Sequence, residues 1–149
     1  MTAFIPLLSL AFAVGCGSED DDTAGHPHHG GDEPEDVNYT TEATTDGGTW
    51  TLTYTAVPDP IVLSDNFSVM VTVSDANDLD ATASLTINAT MPAHNHGMNT
   101  EAVVRANGDG TFAVDGLQFH MSGRWRIDAL VSAPDRPEES AWFDINCCD

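Results

Sequence analysis

The chain has 149 residues, with four arginines, no lysine and 24 acidic residues, for a formal net charge of −20. That balance excludes nucleic acid as a partner, because nothing is available to neutralise a run of phosphates. The length accommodates one domain of about 100 residues, enough to bury a core without metals or disulfides as staples, plus a tail.

Residues 3–14 form an apolar run too short to cross a bilayer as a mature helix. At the extreme N-terminus such a run reads as the hydrophobic part of a secretory signal. It leads into Ala13-Val14-Gly15-Cys16, which resembles a bacterial lipoprotein signal. Small residues there let the signal peptidase close on the chain, and the Cys16 sulfur accepts the lipid. The expectation is a signal peptide over 1–15 and a lipid anchor at Cys16, which makes the membrane a partner. Gly17 in place of an aspartate points to the outer membrane, with the protein in the cell envelope facing the periplasm or the cell surface.

Residues 16–46 are polar and acidic, with runs such as Glu19-Asp20-Asp21-Asp22 and few large apolar side chains. Composition of this kind does not offset the entropy of ordering, so a disordered tether is expected. About 30 flexible residues span roughly 30 Å, and like charges extend them further. Embedded in the tether is His26-Pro27-His28-His29, readable as an exchangeable metal scavenger or as a solvated spacer.

From residue 47 to 149 the pattern changes to short alternating runs. Trp50, Leu52 and Tyr54 alternate with threonines, then come Phe67, Val69, Val71 and Val73, and then Ala81, Ala83, Leu85, Ile87 and Ala89. Further runs cover 101–106, 111–115, 123–131 and 140–147. A period of two with β-branched enrichment means half-buried strands. Pro58-Asp59-Pro60, Asp75-Ala76-Asn77-Asp78, Asn107-Gly108-Asp109-Gly110 and Pro134-Asp135 supply the turns. About seven such strands fit an all-β fold, an immunoglobulin-like antiparallel β-sandwich. Phe112 and Val114 should face its core. Trp125, Ile127 and Ala129 should share one face of their strand, with Arg124, Arg126 and Asp128 on the other. Trp50 and Trp142 are expected to pack the core. The acidic stretch 75–80 lacks the glycine and terminal glutamate of a calcium loop and reads as a turn.

The densest chemistry lies in Met91-Pro92-Ala93-His94-Asn95-His96-Gly97-Met98, joined downstream by His120 and Met121. Soft thioethers beside imidazoles, with no carboxylate among them, form a ligand set that copper prefers over magnesium or calcium. Copper(I) suits the methionines, whereas copper(II) suits the imidazoles. Pro92 and Gly97 argue against a regular strand, so the motif is expected on a loop at one end of the sandwich. A second loop can there bring up His120 and Met121. If residues 117–121 stay extended, His120 and Met121 point opposite ways, and Met121 is core. Both serve only if the chain has already turned, for which Gly123 provides. The ranking is His94 and His96, then Met98 and Met91, then His120 and Met121.

These residues bear a family likeness. Met91-Pro92-x-His94-x-His96-Gly97-Met98, followed by Leu117-x-Phe119-x-Met121-x-Gly123-x-Trp125, resembles the YtkA-like domain over roughly residues 48–145. That family consists of small bacterial extracytoplasmic β-sandwich modules, often lipoproteins, related to the FixH-like and CopC-like group. The resemblance implies an immunoglobulin-like fold and a role in copper handling or respiratory oxidase assembly. By position it carries Met91, His94, His96 and Met121. The Cys147-Cys148 ending belongs to no feature of that family. The pair could form a vicinal disulfide, bridge to another chain or bind a soft metal.

No catalytic arrangement emerges: there is no nucleophile elbow, no phosphate-cradling loop and no His-Glu-x-x-His, so an enzyme is not expected. The leading expectation is a membrane-tethered copper-binding lipoprotein that passes copper to a recipient protein. The alternative is an interaction module without metal that docks an envelope or respiratory complex. A small copper enzyme ranks last.

Overall fold

Alternation decides which side chains are buried, and the strands follow it. The structure, a computed structural model, describes residues 37–76 and 78–148. The signal peptide, Cys16 and the histidine tract lie outside the described residues. Ten strands are present among them: β1 (Glu42–Thr44), β2 (Trp50–Val57), β3 (Asn66–Asp75), β4 (Asp78–Leu79), β5 (Ser84–Met91), β6 (His96–Gly97), β7 (Val103–Ala106), β8 (Thr111–Gln118), β9 (Gly123–Ala133) and β10 (Arg136–Cys147). One antiparallel sheet runs β1-β2-β3-β8-β7, with β4 also on β3, and the other runs β10-β9-β5-β6. The all-β sandwich expected from the sequence is the fold. Its seven longest strands are the seven anticipated runs, and β1, β4 and β6 are two- or three-residue additions.

The inward positions of both sheets meet in one core. Trp50, Leu52, Phe67, Val71, Phe112 and Val114 come from the first sheet, and Leu85, Ile87, Trp125, Ile127 and Phe143 from the second. Tyr54 of β2 meets Phe143 of β10 edge-on across the gap, ring centroids 4.8 Å apart. Burying each such side chain contributes about 1.5–3 kcal/mol. The turn at 107–110 joins β7 to β8 as expected, closed by the Asn107 N–H donating to the Thr111 carbonyl at 2.9 Å. Gly110 is required there: φ is +83° and a Cβ would lie 2.8 Å from the Asp80 nitrogen.

One irregularity positions the site. Phe67 pairs with Leu117 but Val69 pairs with Val114, so β8 carries an extra residue opposite β3. This bulge, at Asp115–Gly116, switches the inward parity from Phe112 and Val114 to Leu117 and Phe119. His120 is thereby turned off the core face.

Several expectations need correction. The tether was expected to run to residue 46, but β1 pairs with β2 from Glu42 to Thr44, so the folded part starts earlier. Composition missed this because β1 contributes little apolar surface. It is held by hydrogen bonds and by neighbours that an acidic, Thr-rich sequence can satisfy. Asn38 is clamped to β10: its N–H donates to Asp144 Oδ2 at 2.6 Å, and its carbonyl accepts from the Asp144 N–H at 2.6 Å. Trp142 is not core. It lies on the outer face of β10, half-buried, with the Arg126 guanidinium 4.8 Å from its ring centroid. Ala81 precedes β5 and is exposed, because the chain is still turning there.

Candidate functional site

Inward alternation along β5 ends at Met91, which is 3% exposed. Pro92 then removes the N–H that a continuing strand needs, and Pro92–His94 form one turn of 3-10 helix. Asn95 reverses the chain with a left-handed φ of 51°, a conformation asparagine tolerates. The chain returns so that His96 pairs with Met91 and Gly97 with Thr90. The expected loop is therefore a tight hairpin, and His96 sits on a two-residue strand and not on an open loop. A single turn fits between Met91 and His96 because Pro92 does not have to continue the ladder.

The second segment is held by its own contacts. The Ser64 N–H donates to the Phe119 carbonyl at 2.8 Å, and the Gln118 amide donates to the Ser64 carbonyl at 2.9 Å. Phe119 is fully buried, stacked on Trp125 at 4.8 Å and edge-on to Phe67. β8 has ended at Gln118, and the Trp125 indole N–H donates to the Met121 carbonyl at 2.8 Å, closing the turn into β9. The chain has thus turned, and Met121 is 38% exposed instead of core. Gly123 permits this turn: its φ is +120°, and the Met91 ε-methyl lies 2.9 Å from where a Cβ would stand.

The two segments meet. The His96 and His120 ring centroids are 5.2 Å apart, and His94 lies 5.8 Å from His96. Met98 ties its hairpin to the second segment through its sulfur, which accepts the Gln118 N–H at 3.4 Å. The His96 Nδ1 is 3.1 Å from the Gly97 carbonyl oxygen, whereas the His120 Nδ1 is buried without a partner. Met91 pairs with His96 across the hairpin but is packed in the core, and the Met121 side chain is exposed. Trp125 is the site residue that sequence reasoning placed only in the core. Its ring lies 5.9 Å from His96 and 5.3 Å from His120, both edge-on. Its inward parity on β9 and its place four residues after Met121 were the available signal.

Beside His96 opens a hollow of about 360 Å³, bounded by Thr90, Pro92, Arg126 and Asp128. Burial raises the Asp128 carboxyl above its usual range, and the Thr90 hydroxyl, which donates to it at 2.9 Å, works in the other direction. Among the described residues no group of three His, Cys, Asp or Glu side chains is gathered to hold a metal ion.

Neither curated proteins nor solved structures give a match to this chain. A family model described as YtkA-like matches residues 48–129, which takes in all six histidine and methionine candidates and leaves out Cys16, Cys147 and Cys148. With more than half its length matched, this β-sandwich chain belongs to the YtkA-like family.

Proposed function

We propose that this protein is an extracytoplasmic copper-binding module, tethered to a membrane through lipidated Cys16, that holds copper at the His/Met tip and hands it to a recipient protein. The observation that carries the reading is the 5.2 Å approach of His96 to His120, from segments that the two sheets deliver independently. One ion bonded at about 2 Å to a nitrogen of each ring accommodates centroids roughly 5–6 Å apart. The His120 Nδ1, buried and without a hydrogen-bond partner, offers that ion a lone pair in the tautomer that carries its proton on Nε2. In this reading the polarizable sulfurs come from Met98, which already accepts the Gln118 N–H, and from exposed Met121. Copper(I) accepts such a small, soft, low-symmetry set, and an exposed thioether suits exchange with a partner. His94 is exposed at the rim and serves entry more than retention.

The test is copper titration of the full chain in both redox states, with His96→Ala and His120→Ala beside it. Sub-micromolar binding lost in the double variant supports the reading. Indifference to copper overturns it and favours the interaction module.

A further inference from the structure

The C-terminal cysteines take no part in the His/Met tip. Cys147 ends β10 opposite Gly123 and is 3% exposed, and Cys148 lies just past the strand, half-buried against the same core. Neighbouring side chains on a strand point apart. Here the chain leaves the strand between the two residues, so both sulfurs fall on one side and are bonded to each other. They line a groove of about 810 Å³ together with Tyr54, Ile61, Leu63 and Ile145.

We propose that Cys147 and Cys148 form a redox-gated site for a thiophilic centre that takes two sulfurs at once. Oxidised, the pair is closed. It opens when an external dithiol donates two electrons and two protons, which leaves two thiols here and a disulfide on the donor. The open pair then captures one soft centre through two sulfur bonds. With a trivalent arsenical, two S–As bonds form and the arsenic-bound oxygen leaves as water with the two thiol protons. Asp59 and Asn146 share the lining with the apolar side chains, so an isolated thiolate gains no cation there, and sulfurs neutralised by a shared partner are favoured. The groove admits such a partner from its open side, where Cys148 is half-buried and Leu63 is exposed. The proposal is independent of the copper reading, since no histidine or methionine is involved.

The experiment uses the full chain carrying Cys16→Ser, so that only this pair can react. The protein is reduced with a phosphine without denaturant, its fold is checked by circular dichroism, and phenylarsine oxide is added before intact-mass analysis. The expected result is one arsenic per chain, with loss of both iodoacetamide-reactive thiols. Unreduced protein and the Cys147→Ser/Cys148→Ser variant should take none. Two reduced thiols that alkylate but capture no arsenical would overturn the site. A disulfide that resists reduction until the fold is lost, or two thiols already free without reductant, would overturn the gating.

Discussion

The rings of His96 and His120 approach to 5.2 Å although the two residues belong to different sheets: His96 lies on β6, at the edge of one, and His120 follows β8 of the other. A donor pair of this kind exists only when the sandwich is closed. Copper should therefore bind the native protein more tightly than the unfolded chain, and raise its midpoint of thermal unfolding by mass action. His96→Ala or His120→Ala alone should weaken copper binding by about tenfold or more, which is roughly 1.4 kcal/mol. His94→Ala should cost less, because its ring is farther out and exposed. Competition against a colorimetric copper chelator measures all three.

Trp125 reports on the same place. Its ring is edge-on to both imidazoles, whereas Trp50 donates its indole N–H to Asp80 at 2.9 Å and Trp142 lies on the outer face under Arg126. Copper should quench part of the tryptophan emission in the wild type, and Trp125→Phe should lose that quenching at saturating copper, although loss of the indole bond to the Met121 carbonyl weakens binding. Quenching retained in Trp125→Phe would place the ion elsewhere.

Phe119 positions His120 through packing, stacked at 4.8 Å on Trp125 and fully buried. Phe119→Ala should cost about 3–5 kcal/mol, as cavity-forming truncations of buried aromatics do, and should also loosen His120 and lower copper affinity. Phe119→Leu should recover most of the stability but little of the affinity, because an aliphatic side chain does not fix the Trp125 ring by stacking. Parallel recovery of both would show that Phe119 acts through stability alone.

Much of the fold was legible because alternation is a local property. Phe67 to Val73 and Trp125 to Val131 each announce a strand and its buried face without reference to anything distant. What was not legible depended on pairing. The bulge at Asp115–Gly116 shows itself only against β3, and it decides that Phe119 is buried and His120 is not. β1 was hidden because its partners are hydrogen-bonding groups on β2 and β10, so an acidic composition looked like a tether. Trp142 was misplaced because an aromatic on the outer face gains its cover from Arg126, two positions from its cross-strand partner Asp128. The sequence names six His and Met residues as candidates, but not which of their side chains the fold buries. Met91 looked as available as Met98 until β5 was seen to carry it into the core.

Acid should unfold this protein through carboxylates tuned by hydroxyl donors. Hydrogen bonds from the Thr45 and Thr49 hydroxyls, with the Thr49 N–H at 3.1 Å, hold the Glu139 carboxyl below its ordinary value of 4.5. A lowered folded value means that the unfolded chain binds more protons in this window. The stabilisation is therefore complete above about pH 4.5 and is lost as pH falls through the folded value. Asp80 and Asp115 behave in the same way, chiefly through the Thr82 and Ser68 hydroxyls. Asp128 runs oppositely, because its raised value makes protonation favour the fold. Glu139→Gln should lower the urea midpoint at pH 7 and converge on the wild type in acid. A variant that tracks the wild type at a constant offset down to pH 3 would exclude Glu139 as a source of the acid limb.

Where the folded unit begins can be measured through Asp144. Its side chain is fully buried, it accepts the Arg124 Nε–H at 2.8 Å, and its remaining oxygen is satisfied by the Asn38 N–H. Asn38 also donates its side-chain amide to the Trp142 carbonyl at 3.0 Å. A chain starting at residue 47 would remove β1 and this clamp, leaving the Asp144 oxygen and backbone N–H without partners. At about 1–2 kcal/mol for each orphaned group, the loss should reach roughly 2–4 kcal/mol. A chain starting at residue 37 should match the full-length protein. Urea unfolding of the three chains decides the matter, and equal midpoints for the 37 and 47 starts would put the boundary back at residue 47. In Asp144→Asn the gap between the two starts should narrow, because a neutral amide left without the Asn38 donor costs less than a buried carboxylate.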